Sequence, residues 1–318
     1  MKGKLQAFLF AMVLGLVLPW IVCAIGGRGI VAEIAGEEIQ ITVSKEKTPQ
    51  QTIAVLTKDG LQQMLLEDYL TGVLLGELPG SFALEAKKAQ AVVARTYALR
   101  IAEGDRHDGA VCTDSGCCQS YRDPALAADS NAVQEAVLAV QQTAGMVLTY
   151  DGKLIDATYF SCSGGVTEDA VAVWGTDIPY LQSVASPGEE YAAHYADTVS
   201  FTFQEFRKAL KTDLPEDASQ WLGAVSYTES GSVAAMSIGG TSYTGTQLRR
   251  LLGLRSTVFE MEIGKDAVVI HTKGFGHRVG MSQYGADAMA RSGKDFMQIL
   301  HHYYKDVKLE TNWGESTI

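Results

Sequence analysis

Residues 5–25 form an uncharged, predominantly apolar run, with Lys2 and Lys4 ahead of it. At about 1.5 Å rise per residue such a run reaches roughly 30 Å as a helix, the thickness of a hydrocarbon core. After it the pattern changes. Residues 39–43 alternate and 52–56 are rich in β-formers, with Asp59-Gly60 as a turn signal, so short strands are expected there. Between residues 61 and 75 the apolar positions 65, 66, 69, 70, 73 and 74 follow helical spacing, and the pattern stops at Gly76-Glu77-Leu78-Pro79-Gly80. Glu77 is thereby expected at a helix end.

A second helix is predicted over 84–102, with Ser81 as candidate cap and a face of small residues at Ala86, Ala89, Val93 and Thr96. Residues 105–124 read as a polar loop. A third helix over 131–143 has Ser130 as its cap and Gly145 beyond it. Residues 146–150 and 153–160 read as a hairpin about Asp151-Gly152, which would carry Ser161-Cys162-Ser163-Gly164-Gly165 at its open end. Residues 174–200, with Pro179, Pro187 and Gly188, are irregular and suggest a hinge or insertion. Beyond them the pattern predicts helices over 203–210 and 247–252, a hairpin over 224–238, strands over 259–263 and 268–272, and helices over 281–291 and 296–304.

The expected fold class is therefore α+β: helices mixed with antiparallel strands and hairpins around a substrate cleft, behind an N-terminal transmembrane helix. The expected organisation is a cytoplasmic stub over 1–4, an anchor over 5–26, a small β-rich region over 27–60, and a large domain over 61–318. The positive flank places the amino terminus in the cytoplasm and the rest outside. A cleavable signal peptide is the alternative, with Val22 and Ala24 as the small-residue pattern; the length of the run favours the anchor. Both readings export the remainder.

Composition narrows the partners. A formal charge of −11 and a pI near 5.0 argue against nucleic acid, whose backbone is bound mainly by Lys and Arg. Export changes how the cysteines are read, because disulfides persist outside the cytoplasm. Setting aside Cys23 leaves Cys112, Cys117, Cys118 and Cys162, enough for two bridges, although the adjacent pair makes that framework awkward. His107 lies in the same segment. One imidazole with two or three thiolates is also a plausible tetrahedral zinc set, and Cys162 could approach it from the hairpin loop. A thiol redox role is disfavoured by the lack of a Cys-x-x-Cys motif.

Three stretches carry a family resemblance. They are Gly76-Glu77-Leu78-Pro79 with the helix from Glu85 to Tyr97, then residues 159–165, and finally Gly274-Phe275-Gly276-His277-Arg278-Val279-Gly280-Met281-Ser282-Gln283-Tyr284-Gly285-Ala286 followed by Ile299 to Tyr304. In this order and separation the chain resembles the stage II sporulation protein D family, which includes peptidoglycan lytic transglycosylases and amidase-enhancer proteins. The family pattern usually has Gly where Arg278 stands and Met where Leu78 stands. The anchor and the His107, Cys112, Cys118 arrangement resemble its sporulation branch, with one structural zinc per chain.

That resemblance implies cleavage of glycan strands, freed of stem peptides, to 1,6-anhydromuramoyl ends during engulfment in a spore-forming bacterium. It further implies a membrane-held protein working with a stage II sporulation amidase (SpoIIP-like) and a membrane partner (SpoIIM-like). A wall-binding activator of a separate amidase is the alternative. Glu77 is the expected acid/base. Beside Leu78 and Pro79, desolvation would raise its pKa into a useful range. Glu67, Asp68 and Glu85 are the rival carboxylates, ranked below it. Lys88 and Arg95 share one helix face, a solvated one on the plain reading, and are candidate substrate contacts; Arg95 could hold a carboxylate or the lactyl group of the substrate. Tyr159, Ser161, Ser163, His277, Gln283 and Tyr284 are candidate sugar binders, since hydroxyls, amides and aromatic faces suit polyols.

Overall fold

The computed structural model describes residues 30–35, 38–43, 51–311 and 313. These belong to two compact units that divide at Gln50 and Gln51. In the first, β1 (Ile30–Ala35) and β2 (Glu38–Val43) form an antiparallel pair. The expected anchor lies outside the described residues. Among those described, no helix is long and apolar enough to cross a membrane.

The second unit begins with an antiparallel hairpin, β3 (Thr52–Thr57) and β4 (Gly60–Leu65), which runs directly into α1 (Leu66–Glu77). The helix expected from residue 61 thus starts five residues later. Residues 61–65 are claimed by the free edge of β3, where Leu61 pairs with Leu56 and Leu65 with Thr52. α2 (Leu84–Ala102) starts and stops where its pattern predicted, but Ser81 is not its cap. The Asp287 carboxylate, 204 residues away in sequence, accepts from Ala83 N–H at 2.6 Å and does that work.

α2 is buried on two faces, which explains its weak amphipathicity. Ala91, Ala94 and Ala98 pack with Tyr69, Leu70 and Val73 of α1 and with Ala136 and Val140. Ala86, Ala89, Val92 and Val93 enter a second cluster with Met281, Ile299, Leu300 and Tyr303. The small side chains let helices approach on both sides. Each large aliphatic residue sealed here contributes about 1.5–3 kcal/mol.

After α2 come β5 (Val111–Cys112), parallel to β3, and α3 (Ser130–Gln142), capped by Asp129 rather than Ser130. β6 (Val147–Tyr150) and β7 (Lys153–Leu154) form the Asp-Gly hairpin, but β7 is only two residues long. β8 (Tyr159–Phe160) leaves that sheet for a different partner, and α4 (Ala170–Trp174) follows it. β9 (Ala196–Thr202), α5 (Phe203–Leu210), β10 (Leu222–Tyr227), β11 (Val233–Ile238), β12 (Thr241–Thr244), α6 (Gly245–Leu251), β13 (Val258–Ile263) and β14 (Ala267–Lys273) then share a third hydrophobic cluster, built on Phe206, Trp221, Leu248, Phe259 and Ile270. Ala196 pairs with Lys273, so the chain enters and leaves this lobe at one place. Such an arrangement lets a lobe be inserted without disturbing its host.

The chain closes with β15 (Met281–Ser282), parallel to β8, then α7 (Gln283–Arg291), α8 (Phe296–Tyr303) and β16 (Lys308–Glu310), which pairs with β6. The architecture is α+β, with small mixed sheets around a helical centre.

Candidate functional site

Glu77 is the last residue of α1. Its position is set by Gly72 and Gly76, one helical turn apart on one face. A β-carbon at Gly76 would lie 2.8 Å from the Ser120 and Tyr121 backbone, and one at Gly72 would strike the Tyr121 ring. The missing side chains let residues 119–121 lie on the helix, where Tyr121 stacks on Tyr69. Ser120 N–H then donates to Glu77 Oε1 at 2.6 Å.

Two further neutral donors complete the carboxylate's surroundings. Tyr159 O–H donates to Oε1 at 3.1 Å, and Gln283 Nε2 donates to Oε2 at 3.3 Å. Behind them, Tyr69 O–H donates to Gln119 Oε1 and Gln119 Nε2 to the Tyr159 oxygen, both at 3.1 Å, so a buried chain of donors ends on Glu77. β8 supplies Tyr159, and its parallel pairing with β15 sets Gln283 beside it. Burial raises the Glu77 pKa above the ordinary carboxylate range, and the three donors only partly offset it. Tyr159 stays a protonated donor, because burial and the neighbouring Glu77 charge push its pKa well up.

The carboxylate faces a cavity of about 710 Å³ lined also by Tyr97, Thr158, Phe160, Ser161, Arg249, Phe275, His277 and residues 115–118. This volume suits a small ligand or a short stretch of a polymer. Among the described residues, Glu77 is the single carboxylate in that lining and Arg249 the single Lys or Arg. His277 packs against Phe160 and Trp174 at ring distances of 5.6 and 5.7 Å. Burial, with the Arg249 charge adding to it, lowers its pKa to about 4. Val279 N–H donates to His277 Nδ1, which leaves the proton on Nε2.

Of the residues expected at the site, Glu77, Tyr159, Ser161, His277 and Gln283 meet at this cleft. The other four sit elsewhere. Arg95 is buried and grips Glu67 bidentately, at 2.9 and 2.6 Å, while donating to the Met146 carbonyl. Lys88 pairs with Glu85 at 2.6 Å near the Phe296 ring. Ser163 is buried, with its N–H and hydroxyl on Glu189. Tyr284 packs between Phe82 and Tyr191. Sequence reasoning missed Ser120, Tyr97 and Arg249. The Gly72-x-x-x-Gly76 spacing could have pointed to Ser120, since it announces a chain lying on that face. Arg249 arrives from the inserted lobe, 172 residues after Glu77, with no local signal.

Arg278, beside His277, has φ +68°, a conformation that glycine adopts without strain. Its side chain turns away from the cleft. It is buried, donates to the carbonyls of Ser163, Val166 and Ser230 and to the Ser232 hydroxyl, and lies 3.7 Å from Glu168.

Next to the cleft, a ring nitrogen of His107 and the sulfurs of Cys112, Cys117 and Cys118 all lie within 4.8 Å of one another. His107 Nε2 is 3.2 Å from Cys117 Sγ, and the adjacent sulfurs are 4.0 Å apart. All four described cysteines are free thiols, so the two-bridge framework is not formed. Cys162 is buried elsewhere, its sulfur facing the His194 carbonyl at 3.9 Å. One nitrogen and three sulfurs are a donor set of the kind that holds a tetrahedral ion. The group could hold a metal.

Comparison with known proteins gives the chain a family. The sequence profile described as Stage II sporulation protein matches residues 57–150. Stage II sporulation protein D of Bacillus subtilis is 37% identical over 260 residues, which cover 78% of this chain and 75% of that protein. Its counterpart in Bacillus amyloliquefaciens is 36% identical over the same shares. The chain belongs to the stage II sporulation protein D family. The amidase enhancer of Bacillus subtilis is a more distant match, 30% identical over 293 residues, covering 76% of this chain and 40% of the enhancer. The two halves of the cleft thus differ in how this family member's profile match covers them: Glu77, Tyr97 and the His/Cys cluster fall inside residues 57–150, and Tyr159, Arg249, His277 and Gln283 outside.

Proposed function

We propose that this chain acts on the cell wall in sporulation as a lytic transglycosylase, cleaving peptidoglycan glycan strands between N-acetylmuramic acid and N-acetylglucosamine. The observation that carries the reading is Glu77: among the described residues the only carboxylate lining its cleft, half-buried, surrounded by neutral donors, and raised in pKa by burial. Water-consuming glycosidases generally work with two carboxylates. A transglycosylase needs one.

Glu77 as the acid gives its proton to the glycosidic oxygen while the bond from that oxygen to C1 of the muramoyl residue breaks. The resulting carboxylate takes the proton of the muramoyl C6 hydroxyl as O6 bonds to C1. The products are an N-acetylglucosamine end and a 1,6-anhydromuramoyl end, no water is consumed, and Glu77 is protonated again. Because the nucleophile belongs to the substrate, proximity comes with binding. Ser120 N–H, Tyr159 and Gln283 stabilise the transient carboxylate; Ser161, His277, Tyr97 and Phe275 offer hydroxyl, N–H and aromatic faces to sugar.

His107, Cys112 and Cys118, with Cys117 as fourth ligand, would hold one structural zinc. A closed set of four protein ligands supports a structural ion. Its service to the site would be indirect. Cys118 lies two residues before Ser120, so fixing the loop fixes the N–H aimed at Glu77. The expected setting is extracytoplasmic, held to the membrane by residues 5–26, beside an amidase and a membrane partner.

The amidase enhancer relative supports a second reading, a wall-binding activator of an amidase. Mass spectrometry of muropeptides after incubation with peptide-free strands decides between them. Anhydromuramoyl ends support the transglycosylase; strands left intact, with an added amidase accelerated, would support the activator.

A further inference from the structure

Arg249 is, among the described residues, the one Lys or Arg that lines the cleft. Among the described residues, no carboxylate oxygen lies within 4 Å of its nitrogens. Its Nε donates to the Arg255 carbonyl at 3.2 Å, and its two Nη atoms donate no hydrogen bond among the described residues. Neighbouring arginines are treated differently. Arg255 is paired with Asp197 at 2.8 Å, and Arg278 is filled with carbonyls and Glu168.

Leaving a guanidinium half-buried and unpaired is costly, and burial lowers its pKa accordingly. The cost is also built in. α6 is clamped by a capping box between Thr244 and Gln247, and Leu248, fully buried in the lobe core, locks the turn that carries Arg249. The side chain is tethered at Nε with its terminal edge free, the edge that grips carboxylates through two parallel N–H donors.

Resting on the transglycosylase reading of the cleft, we propose that Arg249 reads the carboxylate of the muramoyl lactyl group. A strand of alternating N-acetylglucosamine and N-acetylmuramic acid carries one anion per repeat, at that ether. When a stem peptide is attached, the same carbon is a neutral amide and has no charge to offer Arg249. The donor therefore distinguishes two forms of one polymer by charge, while Glu77, entering the reaction as a neutral acid, cannot serve as its counter-ion. Arg249 is a specificity-determining residue whose loss strikes substrate affinity.

The test compares peptide-free strands with the same strands after conversion of their lactyl carboxylates to methylamides. Binding of both to full-length protein is measured by calorimetry in the Glu77→Gln background, where strands stay whole. Protein with Arg249 intact should prefer the free carboxylate by about 10- to 100-fold, the span of a charge-assisted bidentate contact. Arg249→Gln should bind both strands equally, at the level of the methylamide, and Arg249→Lys should recover part of the preference. In the turnover assay with Glu77 present, Arg249→Gln should raise KM and leave kcat within a few fold. Equal affinity for the two strands when Arg249 is intact overturns the assignment, as does an equal loss on both in Arg249→Gln. A protein that prefers the carboxylate but releases no anhydro ends keeps the Arg249 assignment and loses the transglycosylase reading. One that releases anhydro ends from both strands alike does the reverse.

Discussion

The first and last turns of α1 each present a glutamate to a built environment, and the two environments are opposites. Glu67 meets a buried guanidinium that closes on both its oxygens. Glu77, ten residues on, meets a backbone N–H, a phenol and an amide, with no cation within 4 Å among the described residues. A charged partner ties a carboxylate to one structural task; neutral donors hold its shape while burial keeps protonation within reach. One helix thus carries a fastening at its start and the proposed acid at its end.

The sharpest way to break this comparison is Glu77→Gln. The amide keeps the shape but can neither give nor take the proton, so cleavage should fall by about 100- to 10,000-fold while strand binding and melting temperature change little. Glu67→Gln, Asp68→Asn and Glu85→Gln should retain most activity per folded molecule. Anhydro-product release by Glu77→Gln at near wild-type rate would show the acid to be elsewhere.

What was legible in the sequence follows the range of the forces involved. The helices over 84–102 and 203–210 are written in local spacing, and both begin and end where expected. Residues 61–65 read as helix because their strand partner, β3, is not a local feature. Glu77, Tyr159, Ser161, His277 and Gln283 were found through motif resemblance, and they do meet at one cleft. Arg95 does hold a carboxylate, one of its two expected roles, but that carboxylate is Glu67: a charge in a motif is equally a sign of a buried clamp, and only the position of Glu67 tells which. Arg249 was invisible, because its meaning depends on a lobe folding back from 172 residues away.

The loop behind Glu77 offers the next largest effect. Cys118→Ser, or exhaustive chelation, should loosen residues 107–120 and with them the Ser120 N–H, lowering activity by about 10- to 100-fold, in line with losses at supporting groups of a site. Elemental analysis should give about one zinc per chain before chelation and none after. Full activity in metal-free protein would separate this loop from the chemistry.

At the other end of the helix, the expected effect is on stability. Glu67→Gln leaves Arg95 buried without its counter-ion, which should cost about 2–3 kcal/mol in urea unfolding. That is below the full cost of an orphaned charge, because Glu67 is 39% exposed and carbonyls of Met146 and Val140 remain on the guanidinium. Cleavage by the folded fraction should be unchanged. A fall in activity exceeding the unfolded fraction would mean that Arg95 does reach the substrate.

The smallest effect is a pH slope, and it tests the Glu77 environment without any substrate. Burial holds the folded-state pKa of Glu77 above its unfolded value, so between the two values the folded protein binds more of a proton than the unfolded chain. Unfolding free energy changes with pH in proportion to protons bound by the unfolded state minus those bound by the folded state. That difference is negative here, so Glu77 makes stability decline as pH rises from the ordinary carboxylate range through its raised value, and then level off. One proton limits the slope to about 1.4 kcal/mol per pH unit. Glu77→Gln removes it, so the difference in stability between mutant and wild type should drift in the mutant's favour across that window and stay flat above it. Activity should follow the same titration, falling as the acid form is lost. A difference that drifts the other way would mean that the three donors outweigh burial, leaving Glu77 a carboxylate too weakly basic to act as the acid.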